Sequence, residues 1–207
     1  MKKIIYWEKV VDKLRDKRFA VDTGGSIPIS FKGAYQYSTI PYRMIDKILG
    51  KLELQPSDVF VDLGCGKGRA LCCAAQYPMK EILGVEVDEH LYQIAKENIE
   101  RLKCRQTPVH VIHCPAQEND YPHGTLFWLF KPFDLDTLKE VLSKIKKSVE
   151  ANPRSVRIVY INIAADQELY LDQTGWLHLS RKWDKNKRKK LYHSVSVYTL
   201  NRTTGAF

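Results

Sequence analysis

The segment Val59-Phe60-Val61-Asp62-Leu63-Gly64-Cys65-Gly66-Lys67-Gly68-Arg69-Ala70 holds the residues best placed to do chemistry. An apolar run enters three alternating glycines, and a helix starts directly after them. Glycine adopts backbone conformations closed to other residues and lets a ligand approach the main chain. The N–H groups at a helix start can also receive an anionic group. The plainer reading is a tight strand-to-helix turn, for which one glycine suffices. The spacing is G-x-G-x-G, not the G-x-G-x-x-G of dinucleotide binding. Asp62 precedes the first glycine, where a carboxylate repels a pyrophosphate and suits a ligand bearing an ammonium group. The next apolar run, Ile82-Leu83-Gly84-Val85-Glu86, ends in a second acid roughly twenty residues after Gly64, where a carboxylate can accept the hydroxyls of a ribose. Alone, Glu86 reads as a helix-start acid like Asp88. With Asp62 it suits an adenosine that carries an amino acid.

A later run, Phe127-Trp128-Leu129-Phe130-Lys131-Pro132-Phe133, is dense in aromatic residues. Phe127, Trp128, Phe130 and Phe133, near Tyr37 and Tyr42, can enclose a cationic or flat acceptor through π contacts. Alternate residues of a strand must be core, so at most half of them face one pocket. No Ser-His-Asp, metal-ligand or paired-carboxylate constellation is visible. His110 and His113 flank a strand and read as packing or capping residues.

These residues need elements to position them. Residues 2–18 read as a basic amphipathic helix with Ile4, Ile5, Val10, Val11 and Leu14 as its apolar stripe. Residues 19–40 contain Gly24, Gly25, Pro28 and Gly33 and read as irregular. Pro41 opens a helix whose buried face is Tyr42, Ile45, Ile48 and Leu49. Strands are then expected at Val59–Leu63, Ile82–Glu86, Val109–His113, Thr125–Phe130 and Val156–Ile163. The helices between and beside them are Gly68–Gln76, Asp88–Lys103 and Asp134–Glu150. A short helix and two strands, Trp176–Trp183 and Val195–Leu200, close the chain. This alternation predicts an α/β fold: a doubly wound, Rossmann-like, seven-stranded sheet, mostly parallel, with an antiparallel C-terminal hairpin. Helices cover both faces, and a small helical extension precedes them.

The chain has 207 residues and a net charge of +9, and its mean hydropathy is −0.36. That composition is globular and excludes disordered, collagen-like and coiled-coil classes. The longest charge-free apolar stretch, near Ile158–Ala165, falls far short of the roughly 18 residues a membrane span needs. No signal peptide is visible, so a cytoplasmic location is expected. Cys65, Cys72, Cys73, Cys104 and Cys114 have neither disulfide-framework nor zinc spacing and read as small hydrophobes. Basic residues crowd the N-terminus and the segment Arg181–Lys190. The second cluster reads as a solvated loop or as a site for an anionic partner, nucleic acid included.

V-D-L-G-C-G-K-G-R followed by G-V-E-V-D resembles the class I, seven-stranded S-adenosylmethionine-dependent methyltransferases over Val59–Ile163, and the closing hairpin matches their last two strands. The resemblance implies S-adenosylmethionine as cofactor and S-adenosylhomocysteine as product. It places Asp62, Gly64, Cys65 and Gly66 along the methionine part, Glu86 and Val87 at the ribose, and Ala116 and Gln117 beside the adenine. An acid is common where Ala116-Gln117 stands. The stretch Tyr35-Gln36-Tyr37-Ser38-Thr39-Ile40-Pro41-Tyr42 resembles a Y-x-x-T-P-Y segment of small bacterial members, and a related one in certain lysine methyltransferases without a SET domain. It implies a gate in which Tyr37 and Thr39 reach the cofactor; the other reading is aromatic packing of the N-terminal helix. Phe130 ends the strand facing the transferred methyl group. Lys131, Pro132 and Phe133 stand where relatives carry N-P-P-Y, and with Tyr42 they form the implied catalytic set. A charged Lys131 cannot accept a hydrogen bond as an asparagine does.

The implied activity is methyl transfer to a nitrogen of a small molecule or protein side chain. RNA, met through Arg181–Lys190, is the alternative acceptor, and a non-catalytic cofactor-binding module is the alternative class. A single domain over residues 1–207 is expected, with residues 1–50 as cap and gate and 51–207 as core.

Overall fold

The computed structural model describes residues 2–200. Its elements are α1 (Lys2–Phe19), α2 (Tyr42–Leu49), β1 (Val59–Leu63), α3 (Arg69–Ala74), β2 (Glu81–Glu86), α4 (Glu89–Arg101) and β3 (Val109–His113). They continue with β4 (Leu126–Phe130), α5 (Leu135–Ala151), β5 (Arg157–Ile161), α6 (Ala165–Gln173), β6 (Leu177–Trp183) and β7 (Val195–Leu200). One seven-stranded sheet runs in the order β3-β2-β1-β4-β5-β7-β6, with β7 antiparallel to both its neighbours and every other pair parallel. The expected doubly wound sheet with its closing hairpin is therefore what forms.

Strand β1 is buried at all five positions because helices cover both faces, as a parallel sheet requires. On one face α2, α3 and α4 enclose Phe60, Leu71, Trp128 and Ile45. On the other, α5 and α6 enclose Val61, Phe127, Leu142 and Tyr160. The close seat of α3 depends on Gly84, where a Cβ would come within 2.6 Å of Leu71 Cδ1 and 2.9 Å of Cys65 Sγ. The chain leaves β1 toward β2 and β3 on one side, and resumes at β4 and β5 on the other. This reversal opens a crevice at the carboxyl ends of β1 and β4, where doubly wound sheets bind ligands.

Helix α1 docks differently from its expected apolar stripe. Leu14 is 63% exposed and Val10 and Val11 are only half-buried, while the side chains of Ile4 and Ile5 lie outside the described residues. The buried face is instead acidic. Glu8, Asp12 and Asp16, one turn apart, turn toward the domain. Buried Arg69, at the start of α3, meets Asp12 at 2.6 Å and Asp16 at 3.9 Å, and donates to Thr23 Oγ1 at 2.7 Å. Arg15 pairs with Asp46 of α2. A charged face can be buried here because its partners arrive from three elements. Among the described residues, no helix is long and apolar enough to cross a membrane.

Candidate active site

The turn after β1 takes its shape from positive backbone angles, with φ of +74° at Gly64, +56° at Gly66 and +82° at Gly68. Glu86, at the end of β2, clamps this turn. Its Oε2 accepts from the Gly66 N–H at 2.7 Å, and its Oε1 accepts from the N–H groups of Val87 and Asp88, each at 2.9 Å. A carboxylate has about four acceptor positions, so about one remains for a ligand hydroxyl. Burial raises the Glu86 carboxyl above its usual range, and the three N–H donors oppose that rise. Asp62 is buried on β1 between Gly84 and Trp128, and no described residue donates a hydrogen bond to it. Burial, and then the Glu86 charge, push its carboxyl well above the usual range. A buried carboxylate in this state is relieved by a cationic donor.

Above the turn lies a narrow, partly open cleft of about 60 Å³. Glu86 and Val87 form one side of it, and Cys114, Ala116 and Gln117 the rim beyond β3. The roof is the segment 27–37, an extended strap closed by a bridge between Ile27 and Tyr37. It is stitched to the loop after β4: Tyr35 N–H donates to Pro132 O at 3.0 Å, and Asp134 N–H to Gly33 O at 2.8 Å. Tyr37 packs closely against Gly66, where a Cβ would come within 2.2 Å of its ring, and its hydroxyl donates to Thr23 O at 2.8 Å.

Of the residues singled out in the sequence, Tyr37, Gly64, Gly66, Glu86, Val87, Ala116 and Gln117 line this cleft, as do Phe130, Lys131, Pro132 and Phe133. Asp62 and Cys65 lie beneath it rather than in its lining. Lys131 is exposed at the rim, with its ammonium 4.9 Å above the Tyr35 ring and a φ of +44°. Tyr42 does not line the cleft. It is fully buried between the guanidinium groups of Arg15 and Arg69, and its hydroxyl donates to Asp16 at 2.7 Å. Thr39 faces a second, larger cleft of about 900 Å³ between α1 and the loop before β7. Pattern reading missed the residues that build that cleft, Glu8, Asp12, Arg69 and His193 among them. The four-residue spacing of the acids on α1 was their only signal.

The fold and glycine loop together define a class I S-adenosylmethionine-dependent methyltransferase fold. The residues present also suit that cofactor. Asp62 is an unpartnered buried carboxylate able to answer an ammonium, Glu86 keeps an acceptor position for ribose, and Val87 and Ala116 offer an apolar edge to a base. The family model described as "Histone methylation protein DOT1" matches residues 31–115. A protein-lysine N-methyltransferase of Saccharolobus islandicus (strain REY15A) is 32% identical over 66 residues, 31% of this chain and 41% of that protein; the matched region is thus less than half of that relative's length. Among solved structures, an RNA methyltransferase from Salinibacter ruber bound to S-adenosyl-L-homocysteine superposes with a TM-score of 0.58 at 18% identity, over 80% of this chain and 95% of that one. A precorrin-6y C5,15-methyltransferase from Geobacter metallireducens GS-15 gives 0.54 at 20% identity, over 90% and 95%.

Proposed function

We propose that the protein is an S-adenosylmethionine-dependent methyltransferase that acts on an amine nitrogen, with a protein lysine favoured over a small molecule. The observation that carries this reading is the pair of buried carboxylates, Asp62 and Glu86, set on either side of a positive-φ glycine turn. The lysine preference rests on the similarity to the protein-lysine N-methyltransferase and on the match to the DOT1 family model.

When bound, S-adenosylmethionine supplies a methyl group on a positively charged sulfur, open to in-line displacement. The chain's part is to bind, align and exclude water. Asp62 answers the ammonium and Glu86 a ribose hydroxyl. The Tyr37 ring closes the methionine end over Gly66. Phe130 and Pro132, at the end of β4, bound the space from which an acceptor approaches. The strap and the loop after β4 share hydrogen bonds, so closing one orders the other.

Thermal unfolding with S-adenosylhomocysteine, S-adenosylmethionine, NAD and ATP in parallel tests the reading. A ligand at about 100 times its Kd stabilises by about 2.7 kcal/mol, or roughly 5–10 °C for a chain of this size. The expected result is a rise with the two sulfur nucleosides alone, lost in Asp62→Ala and Glu86→Ala, and methyl transfer to lysine-containing acceptors. A rise with NAD or ATP instead overturns it. RNA is the second reading, favoured by Lys185, Arg188, Lys189 and Lys190, which are all exposed. Arg181 and Lys182 of the same basic segment are paired within the chain, with Glu53 and Glu168.

A further inference from the structure

We propose that His193 takes up the proton of the acceptor amine, and that this amine arrives through the second cleft; the proposal rests on the methyltransferase reading above. His193 is half-buried in the loop before β7, and its ring lies 5.3 Å, centroid to centroid, from that of Phe130. Phe130 lines the cofactor cleft and His193 lines the second one, so the two rings form the partition between them. The chain just after the strap crosses the same partition, with Ser38 facing the first cleft and Thr39 the second. No side-chain hydrogen bond commits the imidazole nitrogens among the described residues.

The wall opposite His193 carries charges of both signs. Glu8, Asp12 and Asp16 of α1 line the cleft together with Lys9 and Lys13. Arg69 behind these acids is engaged by Asp12 and Asp16. Glu8 is only 6% exposed; its Oε1 accepts from the Tyr192 hydroxyl at 2.9 Å and lies 3.6 Å from Arg43. Its Oε2 is buried with no hydrogen-bond partner. A buried acceptor left open is costly unless a donor reaches it, and an ammonium drawn along this wall is such a donor. On the His193 side Lys185 lines the cleft, and Lys131 follows Phe130 on the far side of the partition.

Burial, and then the Lys185 charge, lower the His193 imidazole below its ordinary range, which keeps it neutral and able to accept a proton near neutral pH. An ammonium R–NH3+ gives one proton to the imidazole and becomes R–NH2. Its lone pair then forms the N–CH3 bond as the C–S bond breaks. The C–S electron pair stays on sulfur, the product leaves as R–NH2CH3+, and the imidazolium returns its proton to water. A group of this kind contributes about 10²–10⁴-fold in rate.

The test follows the His193 Cε1–H resonance by NMR across pH 4.5–9, with S-adenosylhomocysteine present and n-butylamine as the probe. The signal is assigned by its loss in His193→Gln. The imidazole is expected to titrate below the ordinary histidine value, at higher pH in Lys185→Met, and at lower pH when n-butylammonium donates to it. In single-turnover transfer to n-butylamine, His193→Gln is expected to lose at least about 100-fold at pH 7.5 and to regain most of it near pH 10, where the amine deprotonates unaided. The stabilisation by S-adenosylhomocysteine should stay unchanged. A titration indifferent to n-butylamine, or a rate loss equal at every pH, overturns the proposal while leaving the cofactor reading intact. Absence of any stabilisation by the sulfur nucleosides in the unmodified chain overturns both.

Discussion

Replacing Gly66 with alanine probes the contact that closes the cofactor cleft. A Cβ at this position would lie 2.2 Å from Tyr37 Cε2 and 2.4 Å from Cδ2, whereas ordinary contact begins at 3.4 Å, so the ring must retreat by about 1.2 Å. The ring is not free to do so, because Tyr37 is 7% exposed and its hydroxyl is tied to Thr23 O. Losing that hydrogen bond costs about 0.5–1.5 kcal/mol. Holding alanine at the +56° φ of this residue costs about 1–2 kcal/mol more. Together these amount to about 1.5–3.5 kcal/mol, or a fall in Tm of roughly 3–14 °C. The assay is thermal unfolding with and without S-adenosylhomocysteine, and the ligand-induced rise should be lost with the displaced ring. Tyr37→Ala separates the two causes: in that background Gly66→Ala should cost only its backbone part. A Gly66→Ala protein with unchanged Tm and full stabilisation by the ligand would refute the reasoning. So would an equal cost in both backgrounds.

Other perturbations follow from the same geometry. Arg69→Leu leaves Asp12 and Asp16 buried without their partner and should cost about 3–5 kcal/mol, read as a lower urea midpoint and easier proteolysis of α1. Asp62→Asn should raise the Tm of the ligand-free chain and weaken its response to S-adenosylmethionine. Because the folded-state carboxyl of Asp62 lies above its unfolded value, wild-type stability falls as pH rises from about 4 toward the folded value. The gain in Asp62→Asn should therefore grow with pH over that window, and a gain that shrinks contradicts the assignment. If the exposed basic residues near Lys185–Lys190 meet a polyanion, affinity for single-stranded RNA should fall steeply between 50 and roughly 200 mM salt, and Lys189→Ala with Lys190→Ala should flatten that slope; binding indifferent to salt removes the RNA reading.

The strand and helix order was legible in the chain because parallel strands covered on both faces read as near-continuous apolar runs, such as Leu126–Phe130, and Val59–Leu63 broken only by Asp62. The glycine turn and the acids beside it were legible too. Their signals are local: glycines at positive φ, and acids at the ends of β1 and β2, all within Asp62–Glu86. Tertiary structure alone decided three other matters. It buried Tyr42, whose motif pointed to the acceptor, between two guanidinium groups from separate elements. It turned α1 inward by its acids rather than by Val10, Val11 and Leu14, because Arg69, Thr23 and Tyr42 supply partners that lie far off in sequence. It brought His193 to Phe130 across some sixty residues. A periodic pattern records which face of an element is apolar, but a charged face is buried only when its counter-charges converge, and that convergence exists only once the chain has folded.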